Sequence, residues 1–354
     1  MHLHALDLGV TDMSDVQFGL DTFGDVTAGL DGETISQAQV IRNVVAEGRL
    51  ADEVGIDAFG LGEHHRVEFA VSNPEVVLAA IASVTERIRL GSAVTVLSSD
   101  DPVRVWQRFS ELDAISGGRA EVILGRGSFI ESFPLFGYSL TDYEALFEQK
   151  LDLWVRLLAE GPIHWEGGLR PAIDGLEVYP KTESGRIATW IGVGGSPQSV
   201  VRAARHGLPL TLAIIGGDVR RFAPFIRLYR DTLQEAQQPA LPVAVHSPGF
   251  VARTDEEAYE RFVPFFMQQR AIIGAERGWP PPRADEVRHE IEHGALHLGS
   301  PETVARKVAS TIRDLNIERF DLKYSGSLPH EYSMEAIDLY GREVVPMVKD
   351  MLSR

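Results

Sequence analysis

Apolar residues in this chain alternate between two patterns. Short continuous runs read as buried strands: Val16–Leu20, Ala58–Leu61, Ile88–Leu97, Ala120–Leu124, Ala188–Val193, Leu208–Ile215, Pro242–Ala252 and Phe320–Tyr324. Between them, apolar residues recur at spacings of three and four, the period of a helix with one buried face. Such stretches run over Ile35–Val54, Glu75–Arg87, Tyr143–Ala159, 219–237, 255–273 and Met334–Leu352, with others after Pro102, Pro197 and Pro301. The clearest unit is Arg87 to Ser128. A β-rich run meets a polar break at Ser98–Asp101, and Pro102 opens a helix without leaving an N–H unpaired. Val105, Phe109, Leu112 and Ile115 then share a face, and Gly117-Gly118 ends the helix before the next strand. A parallel pair of strands needs such a crossover.

Strand and helix alternate eight times in one chain, which predicts an α/β fold of the (β/α)8 TIM-barrel type. The competing arrangement is a doubly wound open sheet. No low-complexity linker divides the chain, so residues 1–354 read as one barrel domain with insertions near 160–186 and 274–299. Residues 1–15 read as a short extension and 162–186 as an inserted hairpin or loop.

Composition narrows the function. The net charge of −17 repels nucleic acid and anionic lipid, so neither is expected as a partner. The absence of cysteine excludes disulfides, thiol nucleophiles and thiolate metal sites. MHLHALDLG lacks a basic segment followed by a long apolar one, and no apolar run reaches membrane-spanning length; a cytoplasmic protein is expected.

Barrel chemistry sits after the C-terminal ends of strands. Glu63-His64-His65 follows the second strand, and three consecutive polar groups cannot all face a core. Histidine there can act as acid, base or hydrogen-bond donor. Adjacent histidines point in opposite directions on a strand, which disfavours a shared metal. Gly194-Gly195-Ser196-Pro197-Gln198-Ser199 has the form of a phosphate cradle, with backbone N–H groups at a helix start, or of an ordinary strand-to-helix turn. Arg126 either binds an anion or ties its loop to Glu131 or Asp142. His289, His293 and His297 lie four apart, a spacing that can ligate zinc, but the surrounding Glu and Arg favour a solvated helix. No metal is expected, and no role is given to His2 or His4. Phe23, Phe129, Phe133, Phe136 and Tyr138 suggest an apolar mouth or simple loop packing.

LGSAVTVL, DPVR, LDAISGGRAEVILGRGS and LFG at 135–137 occur in order, together with Glu63-His64-His65 and GGSPQSVVRAARHGLPL. In this combination the chain resembles the bacterial luciferase-like flavin monooxygenases over nearly its whole length. The resemblance implies a (β/α)8 barrel binding FMN at its C-terminal mouth. Ala93-Val94 would carry a non-proline cis peptide under the flavin ring. Arg126, Gly194, Gly195, Ser196 and Ser199 would hold the phosphate, and His64 would be the active-site histidine. The region after the seventh strand would form a lid. A separate reductase would supply reduced flavin, which with O2 would oxygenate a small organic substrate. A homodimer across the helices after strands two and three is also implied. Gly125 and Gly195 stand where the light-emitting subunit of luciferase has a cysteine and a glutamate, so light emission is not expected. F420-dependent hydride transfer is the alternative within the fold. A metal hydrolase using His64, His65 and His246, or a non-catalytic flavin-binding barrel, are the alternatives outside it.

Overall fold

The computed structural model describes residues 15–127, 129–324 and 327–354. Most of the 1–15 extension, His2, His4, Ser128 and Ser325-Gly326 lie outside the described residues. The strands are β1 Gln17–Thr22, β2 Ala58–Leu61, β3 Arg89–Ser92, β4 Thr95–Val96, β5 Ala120–Gly125, β6 Ile163–Trp165, β7 Ile173–Leu176, β8 Ala188–Val193, β9 Leu210–Ala213, β10 Val243–Val251, β11 His297–Gly299 and β12 Arg319–Lys323. β1, β2, β3, β5, β8, β9, β10 and β12 pair in parallel and close on themselves through β12 and β1. The doubly wound alternative is thereby excluded. β11 adds a parallel pairing to the far end of β10, and β6 and β7 form an antiparallel pair within the 160–186 segment.

Alternation along the strands decides which side chains fill the barrel. In β1, Phe18 and Leu20 are buried in the large apolar layer between sheet and helices, whereas Asp21 reaches across the interior to His246. The base of the barrel is ionic. Arg319 Nη1 donates to Glu121 Oε1 at 2.7 Å and Nε to Asp321 Oδ1 at 2.7 Å, while Arg89 Nε donates to Glu121 Oε2 at 3.2 Å. Glu121, Arg319 and Asp321 are all buried.

The elements follow their local chemistry, with several departures from the sequence reading. α1 Gln37–Glu53 is capped by Ser36, and α3 Pro102–Ser116 by Asp101, whose carboxylate accepts from Val103 N–H at 2.9 Å. In α3 the buried face is Val105, Trp106, Phe109 and Leu112; Ile115 is exposed. α2 Pro74–Ala82 stops short of Arg87 because Asp52 accepts the backbone N–H groups of Glu86, Arg87 and Ile88, fixing them in a non-helical approach to β3. The expected strand 88–97 is split into β3 and β4. The aromatic loop after β5 contains a short α4, Ser132–Phe136, followed by α5 Tyr143–Leu157. α6 Pro197–Arg205 and α7 Ala223–Glu235 follow β8 and β9. α8 Asp255–Arg277 continues four residues past the expected 273, and α9 Ala284–His293 follows it. α10 Pro301–Leu315 precedes β12, and a single π turn at Tyr340–Val344 separates α11 His330–Leu339 from α12 Val345–Ser353. Among the described residues no helix is long and apolar enough to cross a membrane.

His297 departs most from its sequence reading. It does not share the α9 face with His289 and His293 but lies fully buried in β11, bonded to Ala295 O at 2.8 Å and Thr311 Oγ1 at 3.2 Å. Burial pushes its pKa from 6.5 down to about 3. Between those values the unfolded chain binds a proton that the folded chain refuses, so stability falls as pH drops below 6.5. The slope is about 1.4 kcal/mol per pH unit for one such group. Urea midpoints measured from pH 7 to 5 are expected to fall more steeply for the wild type than for His297→Gln; parallel curves would remove this role.

Candidate functional site

A cavity of about 710 Å³ opens at the C-terminal ends of the barrel strands. Its two sides have different chemistry. On the β2–β8 side, glycines stand at inward positions. A Cβ at Gly125 would come within 2.6 Å of Val94, one at Gly192 within 2.8 Å of Val94, and one at Gly60 within 3.0 Å of Ala93. These close approaches let the segment between β3 and β4 bulge into the barrel as a shelf. The Ala93–Val94 peptide in that shelf is cis, the geometry the resemblance implies. Ala93 N–H donates to Leu61 O at 2.7 Å, and Glu63 N–H to Val94 O at 3.1 Å. The buried Glu63 carboxylate accepts from Val96 N–H at 2.7 Å and bonds His65 Nε2 at 2.8 Å. The Glu-His-His tripeptide thus divides its work: Glu63 fixes the shelf, His65 orients Glu63, and His64 turns the other way.

His64 faces the cavity within an aromatic cage. Its ring lies 4.5 Å from Phe23, 4.5 Å from Phe69 and 5.3 Å from Phe129, centroid to centroid. Burial pushes its pKa down to about 3, outweighing the opposing charge of Asp25. The near-neutral titration expected from sequence does not hold; His64 is a neutral imidazole across the working pH range. Its ring nitrogens have no protein hydrogen-bond partner among the described residues.

At the cavity's other end, the N-terminus of α6 presents Ser196 as cap, accepting from Ser199 N–H at 3.4 Å. Gly195 has φ of 111°, a conformation that requires glycine. Arg126 Nη2 donates to Ser199 Oγ at 3.3 Å, and Arg202 Nη1 donates to the same oxygen at 3.4 Å. Arg126 pairs with Glu144, not with the expected Glu131 or Asp142. Glu131 instead joins Arg66. Glu144 also reaches Arg202 at 3.4 Å, so one carboxylate bridges both cations of this end.

The side formed by β1, β9, β10 and β12 is polar. His246 Nδ1 lies 2.7 Å from Asp21 Oδ2, and its ring stacks on Phe23 at 6.2 Å. Burial opposes protonation of His246, but the charge and hydrogen bond of Asp21 outweigh it and raise the pKa. α8 roofs the cavity with Phe266, Gln269, Arg270 and Ile273. Gln269 Nε2 donates to Asp25 Oδ1 at 2.7 Å, and Arg66 Nη2 meets Glu276 Oε1 at 2.6 Å, tying the roof to the loops after β1 and β2.

Of the aromatic residues singled out from sequence, Phe23 and Phe129 line the cavity. Phe133 is buried against Tyr143, Phe136 packs at the surface on His65, and Tyr138 lies under Lys150. His64, His65 and His246 do not converge, and among the described residues no cluster of His, Asp and Glu could hold a metal ion. Sequence reading passed over Asp21, Glu63 as an anchor, Arg202 and Thr211. The available signal was alternation: each of the strand residues Asp21 and Thr211 occupies an inward position of a parallel strand, where a polar residue is exceptional.

Residues 16–319 match the family described as luciferase-like monooxygenase. An alkanal monooxygenase alpha chain from Photorhabdus luminescens is 30% identical over 222 residues, 60% of this chain and 59% of that protein, so the match spans less than two thirds of the relative. Among solved structures, monooxygenase RslO1 from Streptomyces bottropensis superposes with a TM-score of 0.81 at 24% identity, covering 93% of this chain and 99% of that one. The oxygenating constituent of 3,6-diketocamphane monooxygenase from Pseudomonas putida, in complex with FMN, gives 0.76 at 18% identity over 94% and 98%. An F420-dependent secondary alcohol dehydrogenase gives 0.71 at 16% over 94% and 99%. At these identities the structures share the fold. With a closed parallel barrel, a shelf at Ala93–Val94 and a family match across most of its length, the chain belongs to the luciferase-like monooxygenases.

Proposed function

We propose that this protein is an FMN-dependent monooxygenase that oxygenates a small organic substrate with O2. The observation that carries this reading is the pairing, within one cavity, of a glycine-backed shelf with a serine- and arginine-lined helix N-terminus. A flat ring system suits the first, and a phosphate suits the second. Ala93 and Val94 would support the ring; Arg126, Gly194, Gly195, Ser196 and Ser199 would hold the phosphate. Bound reduced flavin would supply the electrons that activate O2. The protein's part is to orient, to exclude water through the α8 roof, and to present the neutral His64 imidazole as a hydrogen-bonding group. A separate flavin reductase would supply the reduced flavin. Exposed Val76 on α2, Val84 just beyond it and Ile115 on α3 support self-association through this face.

The F420-dependent neighbour makes hydride transfer the competing reading. Titrating the protein with FMN and with F420 separates the two. Expected is saturable FMN binding and, with reduced FMN, substrate-dependent oxygen consumption across aldehydes, ketones and thioethers. Binding of F420 alone, with no oxygen uptake, would overturn the proposal.

Glu144 gives a sharper check of the phosphate end. It pairs with Arg126 and lies 3.4 Å from Arg202, which Glu148 holds more closely at 2.7 Å, so a phosphate drawn to Arg126 would compete with it. Glu144→Gln is expected to tighten FMN binding by about two- to fivefold, the scale of an exposed ion pair. Riboflavin, which lacks the phosphate, should gain nothing. Fluorescence quenching titrations read both; equal gains for the two flavins would place the phosphate elsewhere.

A further inference from the structure

The roof of the cavity carries charge that neither the ring nor the phosphate reading uses. Phe266, Gln269, Arg270, Ile273 and Arg277 line the cavity from α8, at helical spacing along one face. Arg270 stands between Phe266 and Ile273 on that stripe, about one turn from each. It makes no hydrogen bond, ion pair or ring contact among the described residues. No acid stands one turn away on its own helix, where the neighbours are Phe266, Met267, Ile273 and Gly274. In a chain with 51 acidic and 34 basic residues, an arginine without a carboxylate stands out. Arg277 ends the same face, its guanidinium 5.1 Å from the rings of Phe129 and Trp279. Both arginines are exposed as well as cavity-lining, so they stand at the mouth. Lys323 on β12 adds a third positive charge to the lining, held by Asp25 at 3.5 Å. The acids of the lining are already engaged: Asp21 with His246, Glu63 with Val96 N–H and His65, Asp321 with Arg319. Glu276, beside Arg277, is held by Arg66. On its outer side Arg270 borders a second pocket, where Asp285 and Glu286 bond Arg283 and Glu290 accepts Gly217 N–H at 2.9 Å.

We propose that Arg270, with Arg277 on the same helix face, recognises an anionic group at the cavity mouth, and that the substrate is an organic acid with a carboxylate on an aromatic body. This rests on reading the cavity as the place where substrate is oxygenated. A guanidinium is a planar fork that matches a carboxylate with two parallel N–H···O bonds. The body follows from Phe23, Phe69 and Phe129, which line the same cavity. The carboxylate stays at the solvated end beneath α8, so the ligand buries its rings without stripping its charge of water. The chain as a whole, at −17, repels anions, and positive side chains at this opening let one approach. The phosphate end is separate, built by Arg126 and Arg202 around Ser199 on α6.

The test is binding of 2-naphthoate and 2-naphthamide, which share a shape and differ in charge, to the FMN-saturated protein, read by calorimetry without turnover. Saturation with FMN keeps the acid off the phosphate end. Wild type is expected to bind 2-naphthoate about fivefold more tightly than the amide at low salt, the scale of a charge-assisted hydrogen bond discounted for solvent. The preference should shrink as salt rises. Arg270→Gln is expected to erase most of it and to leave 2-naphthamide affinity unchanged. That variant should fold as wild type does, because Arg270 bonds nothing else described. Arg270→Lys, which keeps the charge, should retain part of the preference, and Arg342→Gln, at an exposed arginine outside the cavity, should retain all of it. Equal affinity for acid and amide in wild type, or an unchanged preference in Arg270→Gln, would overturn the site. The titrations are repeated without flavin in the presence of inorganic phosphate. An acid preference that depends on Arg270 in a protein that fails to bind FMN would keep the anion site and remove the flavin reading. FMN binding without the preference would do the reverse.

Discussion

Replacing Arg319 with methionine is expected to destabilise the barrel by about 3–5 kcal/mol, the cost of leaving buried charge without its partner. Arg319 is the only described cation that bonds both Glu121 and Asp321. The two carboxylates are not equivalent. Burial pushes Glu121 up, but Arg319 and Arg89 together outweigh it and hold its pKa below the usual value. Asp321 has Arg319 alone, with Asp21 and Glu121 adding repulsion, and burial wins; its pKa rises to about 6. Methionine fills the volume of the arginine stem but pairs with neither acid. The unfolding free energy of Arg319→Met, from urea denaturation, checks this. Adding Asp321→Asn to Arg319→Met should recover part of the loss, because it removes one of the stranded charges. If Arg319→Met unfolds like wild type, the base of the barrel is not held by these pairs.

The second large effect concerns His64. His64→Ala is expected to lower turnover with reduced flavin by about 10²- to 10⁴-fold, the range for a group placed on a reacting proton or its hydrogen bond. Flavin affinity should change little, since neither the shelf nor the phosphate end involves this ring. Because its pKa lies near 3, the imidazole stays neutral over any ordinary assay, and the pH profile should contain no step belonging to it. The sign is simple: only below pH 3 would the ring gain a proton and lose its acceptor nitrogen. His64→Asn, which keeps a donor and an acceptor, should retain more activity than His64→Ala. Steady-state oxygen consumption on the three proteins decides this. Equal turnover for wild type and His64→Ala would remove His64 from the chemistry.

The sequence made the barrel legible because each strand-helix unit carries its own punctuation. Asp101-Pro102 and Ser300-Pro301 start helices, Gly117 stops one, and buried runs stay apolar on the helix-facing side. What it blurred were places where tertiary contacts override period. Asp52 ends α2 early by capturing three backbone N–H groups that a helical reading assigned to the helix itself. His297 fits a four-residue spacing, but a strand pairing with β10 buries it alone. At the site, Glu63-His64-His65 was conspicuous as three polar residues in a row, yet which of them faces the cavity depended on where the Ala93–Val94 shelf sits. Arg126 was found because a charge at the end of an apolar strand stands out. Its partner Glu144 was not, because eighteen residues of loop and helix separate them. Asp21 and His246 come from strands far apart in the chain, and ring closure through β12 and β1 makes them neighbours.

The glycine-backed and polar sides of the cavity also sort the chain along its length. β2, β3, β5 and β8 form one uninterrupted stretch that builds the shelf. β9, β10 and β12 form another, joined by β1 through ring closure. The two stretches meet at two seams only, between β1 and β2 and between β8 and β9. Mutational drift in the later stretch can therefore remodel one wall while the other inherits its shape intact. A lineage built on this plan can reshape one wall of the cavity by changing a contiguous third of its gene, with the shelf left in place.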